Sequence, residues 1–134
     1  MRLNPFGRRA AVVGLVLFGV AACAGPQYPA APNYVVFFTP FSADLDEPAR
    51  GVIANAADAA RAAGSRSVRV EGYADPEGTP AANRTLTQLR TQVVADALVA
   101  QGVDRGRLVL RPRGSVGTDP GVESRRVEIS VAAP

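Results

Sequence analysis

Two residues of opposite charge stand where they could hold a ligand. Asp75 lies in a loop-forming stretch, Ala74 to Gly78, directly ahead of a helical pattern that carries Asn83, Thr87 and Arg90. The last three fall at i, i+4 and i+7 and therefore share one face of that helix. A fixed carboxylate beside a fixed guanidinium complements a zwitterion, the first holding an ammonium and the second gripping a carboxylate in a fork. The same two residues could equally form a surface salt bridge worth ~0–1 kcal/mol. A third use, glycan hydrolysis by Asp75 with Glu77, lacks support. The two sit in a Pro/Gly loop with no sign of the burial that would raise one carboxyl's pKa.

Composition removes most other chemistry. The chain of 134 residues contains no histidine and one cysteine, Cys23. That excludes histidine acid–base catalysis, histidine-containing metal sites, internal disulfides and thiolate clusters. No metal, cofactor or catalytic residue is expected, and the chain reads as a non-enzyme. Its fifteen cations are all arginines, giving a net charge of +3. Arg2, Arg8 and Arg9 precede the first apolar run, and the twelve arginines beyond residue 23 balance twelve acidic residues. The basic character belongs to the N-terminus, so no nucleic-acid partner is expected.

The elements that must position Asp75 and Arg90 follow from periodicity. Tyr34 to Phe38 is a β-branched and aromatic run that Pro40 ends. Ala49, Val52, Ile53, Ala56, Ala60 and Ala63 recur on one helical face, with Asp46 as N-cap, Pro48 in the first turn and Gly64 as the stop. Val68 and Val70 alternate with Arg69 and Glu71 in a second strand ending at Gly72 and Tyr73. Thr79-Pro80 opens a second helix, whose core stripe is expected to be Leu86, Leu89, Val93, Ala97 and Ala100, ending at Gly102. Leu108 to Leu110 and Arg125 to Val131 are two further strands. The order β-α-β-α-β-β predicts an α/β (α+β) sandwich, a mixed sheet with two helices packed on one face. Asp75 and Arg90 lie off the expected stripe, so replacing either should leave the fold intact.

The segment ahead of this domain reads as an export signal. A positive start leads into the apolar run Ala10 to Val20, too short for a membrane span of ~20 residues. Val20-Ala21-Ala22-Cys23 then resembles the lipobox of bacterial lipoproteins. The resemblance implies a signal peptide over 1–22 and lipidation of Cys23, which becomes the first residue. Acyl chains contributing ~0.8 kcal/mol per buried methylene would anchor it durably. Ala24 is not the Asp of an inner-membrane retention signal, so the expected location is the outer membrane with the domain facing the periplasm. Pro26, Pro29 and Pro32 are spaced at the polyproline II period, making residues 23–33 a short tether.

Residues 34–134 resemble the OmpA-like C-terminal domain of peptidoglycan-associated lipoproteins. That family's central motif runs Gly-His-Thr-Asp-x-x-Gly, then Asn, then Leu-Ser, then Arg-Ala. Here Gly72, Asp75, Gly78, Asn83, Leu86, Thr87 and Arg90 match it without insertion. Phe37-Phe38, Ser42 and Leu45 resemble the family's opening, and Arg125-Arg126-Val127-Glu128-Ile129 its ending. The resemblance implies non-covalent binding of peptidoglycan through the diaminopimelate of the stem peptide, tethering the outer membrane to the cell wall. It assigns the ammonium to Asp75, the carboxylate to Arg90, a polar contact to Asn83 and a second carboxylate contact to Arg125, and it counts Gly78 among the peptidoglycan-binding residues. Tol-type envelope proteins are further implied partners. The chain departs from the family at Tyr73-Ala74, which replace His-Thr, and in a shortened stretch from Gly114 to Ser124. That shortening leaves a second reading, a protein-docking module with weak or no peptidoglycan binding.

Overall fold

The computed structural model describes residues 33–118 and 120–132; the expected signal segment, Cys23 and the tether up to Pro32 lie outside them. Strands β1 (Asn33–Phe37), β2 (Val68–Ala74), β3 (Leu108–Ser115) and β4 (Arg126–Val131) alternate with helices α1 (Glu47–Ala62) and α2 (Pro80–Ala100). The two helices pack on one face of the four-stranded sheet, giving the expected α+β sandwich. Boundaries differ by little: β1 begins at Asn33, and β3 continues past Leu110 to Ser115. No helix among the described residues is long and apolar enough to cross a membrane.

Local chemistry explains where the helices begin. The Asp46 carboxylate accepts the Ala49 N–H at 2.8 Å, with proline in the first turn, and Thr79 Oγ1 accepts the Ala82 N–H at 3.1 Å ahead of Pro80. The sheet runs β1-β4-β2-β3. The last strand lies inside it, antiparallel to both β1 and β2, whereas β2 and β3 are parallel. A parallel pair needs a crossover, and α2 supplies it. Alternation then buries Val127, Ile129 and Val131 of β4 with Val68 and Val70 of β2 beneath Ile53, Ala56, Ala57 and Ala60 of α1. The opposite face of the sheet mixes charged side chains with Val35, Phe37, Tyr73 and Val109. There Arg126 pairs with Glu128 at 2.6 Å and stacks over the Tyr73 ring at 4.3 Å.

The second helix departs from expectation. Leu89, placed on its core stripe by periodicity, is 51% exposed, and Leu86 and Val93 are only half-buried. The buried face instead carries Asn83, Thr87, Arg90, Thr91, Val94 and Leu98. Buried polar groups are tolerated when hydrogen-bonded, and these are. Thr87 Oγ1 donates to the Asn83 and Arg84 carbonyls at 3.0 Å each, and Thr91 Oγ1 donates to the Thr87 carbonyl. With their hydroxyls turned back onto the helix, the two threonines present compact surfaces to the sheet.

Gly72 is what lets them approach. A Cβ there would collide with Thr91 Oγ1 and lie 3.0 Å from the Thr87 carbonyl oxygen. Gly72→Ala should therefore force the helix off the sheet and cost about 1–3 kcal/mol, as overpacking does. The check is a urea melt, in which the midpoint falls with an unchanged slope; an unchanged midpoint would show that the contact is slack.

Candidate functional site

At the end of β2 the chain leaves the sheet at Ala74, and Asp75 is the first residue of the following loop. The Asp75 side chain is nearly buried and accepts the Glu77 N–H at 3.3 Å. Gly78 turns the loop with φ +89, and Asn83 fastens it from the first turns of α2. Asn83 Nδ2 donates to the Asp75 carbonyl at 3.1 Å and to Ser115 Oγ at 2.7 Å, tying the loop to the end of β3. Val116 N–H donates to the Ala74 carbonyl at 3.0 Å, so the two parallel strands leave the sheet together. Asp75, Gly78 and Asn83 thus form one unit.

The charge partner of Asp75 is not the one that helix geometry suggests. Arg125 Nη1 lies 3.3 Å from Asp75 Oδ2, and Arg125 Nε donates to the Phe38 carbonyl at 3.3 Å. The Phe38 N–H in turn donates to the Arg125 carbonyl at 2.9 Å. This reciprocal pairing extends the β1–β4 ladder and aims Arg125 across the sheet end at the β2 loop. Fifty residues separate it from Asp75 in the chain, so only strand order reveals the pair.

Arg90 has no exposed surface and makes its hydrogen bonds with backbone carbonyls. Its Nε donates to Ser42 at 2.8 Å, Nη2 to Thr39 at 3.0 Å and Nη1 to Tyr73 at 3.3 Å, with the guanidinium 5.0 Å from the Phe38 ring centre. Burial pushes its pKa below the ordinary arginine value; Asp75 acts in the opposite direction and Arg125 adds to the lowering. Arg90 therefore feels the Asp75 charge without pairing to it. The expectation that it sits off the core is corrected: it is buried at the middle of α2 and binds the Thr39–Ser42 turn to the end of β2. Its stripe, continuing through Val94 to Leu98, carried the signal that could have shown this.

Together one carboxylate and two guanidiniums meet where β2, β4 and the Thr39–Ser42 turn converge. The arrangement can bind a small group bearing both charges, with a surplus for a carboxylate. Among the described residues no group of three or more acidic or sulfur side chains is placed to hold a metal. Glu77 is exposed, whereas Asp75 is engaged by Arg125, so the two carboxyls do not share one environment.

A family model described as the OmpA family matches residues 37–128. The OmpA-like domain of FopA1 from Francisella tularensis subsp. tularensis SCHU S4 is 26% identical, over 76% of this chain and 72% of that chain, with a TM-score of 0.68. The peptidoglycan-associated lipoprotein from Burkholderia pseudomallei is 22% identical over 74% and 90% of the two chains, also with a TM-score of 0.68. The periplasmic domain of Helicobacter pylori MotB shares the fold at 18% identity, 79% and 78% coverage and a TM-score of 0.63. No curated protein sequence matches the chain.

Removing the Arg90 fork would strip a donor from three carbonyls at once, of which Thr39 alone keeps the Ser42 N–H, and each carbonyl left unsatisfied costs ~1–3 kcal/mol. Arg90→Met should thus destabilise the domain by about 3 kcal/mol or more. Arg90→Lys should recover little, since one ammonium cannot span three acceptors set in a fork. Chemical denaturation of both variants checks this, and near-wild-type stability in Arg90→Met would show that the clamp is dispensable.

Proposed function

Since the chain belongs to the OmpA family, we propose that its domain binds peptidoglycan non-covalently through the diaminopimelate side chain of the stem peptide. In this reading Asp75 takes the ammonium of the diamino acid. Arg125 takes its carboxylate, with the buried Arg90 charge behind it, while Gly78 and Asn83 hold the loop in shape. The observation that carries the proposal is the Asp75–Arg125 contact. At 3.3 Å it is longer than the ~2.8 Å of a close charge-assisted bond. Each side chain keeps polar capacity for a second partner, because a carboxylate offers about four lone-pair sites and a guanidinium five N–H groups. A ligand carrying both charges satisfies the two together, and a neutral or singly charged one does not. The likeness to the Burkholderia pseudomallei peptidoglycan-associated lipoprotein supports the same ligand.

The proposal extends to the anchor. Val20-Ala21-Ala22-Cys23 supports lipidation of Cys23, which would hold the domain beneath the outer membrane on a short proline-rich tether. The protein would then link that membrane to the cell wall from the periplasmic side, as a binding module with no catalytic step. Tol-type envelope proteins would be additional partners of the same kind of module.

Two experiments test these parts separately. In co-sedimentation with purified sacculi, the full chain in mild detergent should pellet, whereas Asp75→Ala and Arg125→Ala should each lose about 2–5 kcal/mol of binding, about 30- to several-thousand-fold. Failure of the unmodified chain to pellet would instead favour the protein-docking reading. In cells, Cys23→Ser should leave the protein unprocessed or free of the outer membrane, as read by its size on a gel and by membrane partition. Unchanged processing and partition would sink the lipid anchor.

A further inference from the structure

The Thr39–Ser42 turn carries a feature that the zwitterion site does not use. Phe41 has φ +57 and is the only non-glycine with positive φ among the described residues. It is also 70% exposed, more than any other large hydrophobic side chain described. A bulky residue in the left-handed region is strained, and such outliers persist only where the surroundings over-determine them. Here the surroundings are explicit. Arg90 grips the carbonyls of Thr39 and Ser42 on either side of Phe41, the Ser42 N–H closes the turn on the Thr39 carbonyl at 3.3 Å, and Ser42 Oγ bonds Asp44 at 2.9 Å. The turn's other neighbour is Arg125, bonded to the Phe38 carbonyl at its base. Both site arginines are therefore fastened to the segment that presents this ring. The ring contributes little to the core, being mostly in solvent, and its backbone is costly to hold.

We propose that Phe41 is a ligand-contacting residue whose ring packs against the apolar flank of the stem peptide held by Asp75 and Arg125. This rests on the peptidoglycan reading above. It adds a hydrophobic contact to a site otherwise built from charge, so that the domain distinguishes a diamino acid within its peptide from small free zwitterions. The strain belongs to that role: the turn keeps an aromatic residue where asparagine or glycine would fit the backbone better.

The test titrates a tetrapeptide stem containing meso-diaminopimelate against the full chain in mild detergent, comparing the wild type with Phe41→Asn, Phe41→Tyr and Asp75→Ala. Asparagine tolerates the left-handed conformation and removes the ring. Phe41→Asn should therefore raise the melting temperature by a few degrees while weakening the tetrapeptide about three- to tenfold. Phe41→Tyr should bind nearly as the wild type, and Asp75→Ala should bind far more weakly than either. Wild-type affinity in Phe41→Asn beside lost binding in Asp75→Ala overturns the role of Phe41 and leaves the charged site standing. A lowered melting temperature in Phe41→Asn also overturns it, by making the ring a packing residue. Full affinity in Asp75→Ala removes the site itself and the Phe41 contact with it.

Discussion

A single buried guanidinium, that of Arg90, fixes the end of the molecule where the charged side chains meet. Burying a charge without a partner costs several kcal/mol, so the group is stable there only while its N–H donors are matched. The matching acceptors are carbonyls from the Thr39–Ser42 turn and from Tyr73, two segments that the sheet itself does not join at that point. The clamp gives the turn after β1 one position and the end of β2 another. Asp75 begins two residues beyond Tyr73, and Phe38, whose carbonyl holds Arg125, lies one residue before Thr39. Both members of the ion pair thus inherit their placement from Arg90.

The electrostatics follow from the same choice. Because Arg90 is bonded to carbonyls, its charge is not cancelled by a close carboxylate, and it reaches Asp75 through a poorly solvated interior. Asp75 lies in the field of two arginines and is bonded to one. This leaves a local excess of positive charge at a half-buried place, which suits a ligand bringing a carboxylate along with its ammonium. A site made from Asp75 and Arg125 alone would be balanced and would gain less from exchanging its internal contact for a ligand.

Much of this was legible in the sequence because it is local. The caps at Asp46 and Thr79, the alternation in β2 and β4, and the Asp75–Gly78–Asn83 spacing each depend on residues a few positions apart. Two things were hidden, and for one reason. On α2 the apolar residues Leu86, Leu89 and Val93 run beside the polar Asn83, Thr87 and Arg90, and periodicity alone prefers the apolar stripe. What reversed the choice was Gly72, a missing side chain on another element, which admits threonines close to the sheet. Likewise the Asp75–Arg125 pair depends on β4 lying next to β2, a fact of strand order that no spacing along the chain expresses. Non-local constraints decided which polar residues are bonded into the framework and which keep polar capacity at its edge.

In the proposed binding mode Arg125 and Asp75 meet the ligand while Arg90 stays in the framework. Arginine side-chain resonances distinguish the two directly. In a ¹⁵N-labelled chain titrated with a diaminopimelate-containing stem peptide, the Nε–H signal of Arg125 and the amides of Asp75 and Gly78 should move together and saturate. The Nε–H of Arg90, held by the Ser42 carbonyl at 2.8 Å, should remain slow to exchange with solvent throughout. Saturable shifts confined to another surface, with Arg125 and Asp75 unmoved, would contradict that binding mode.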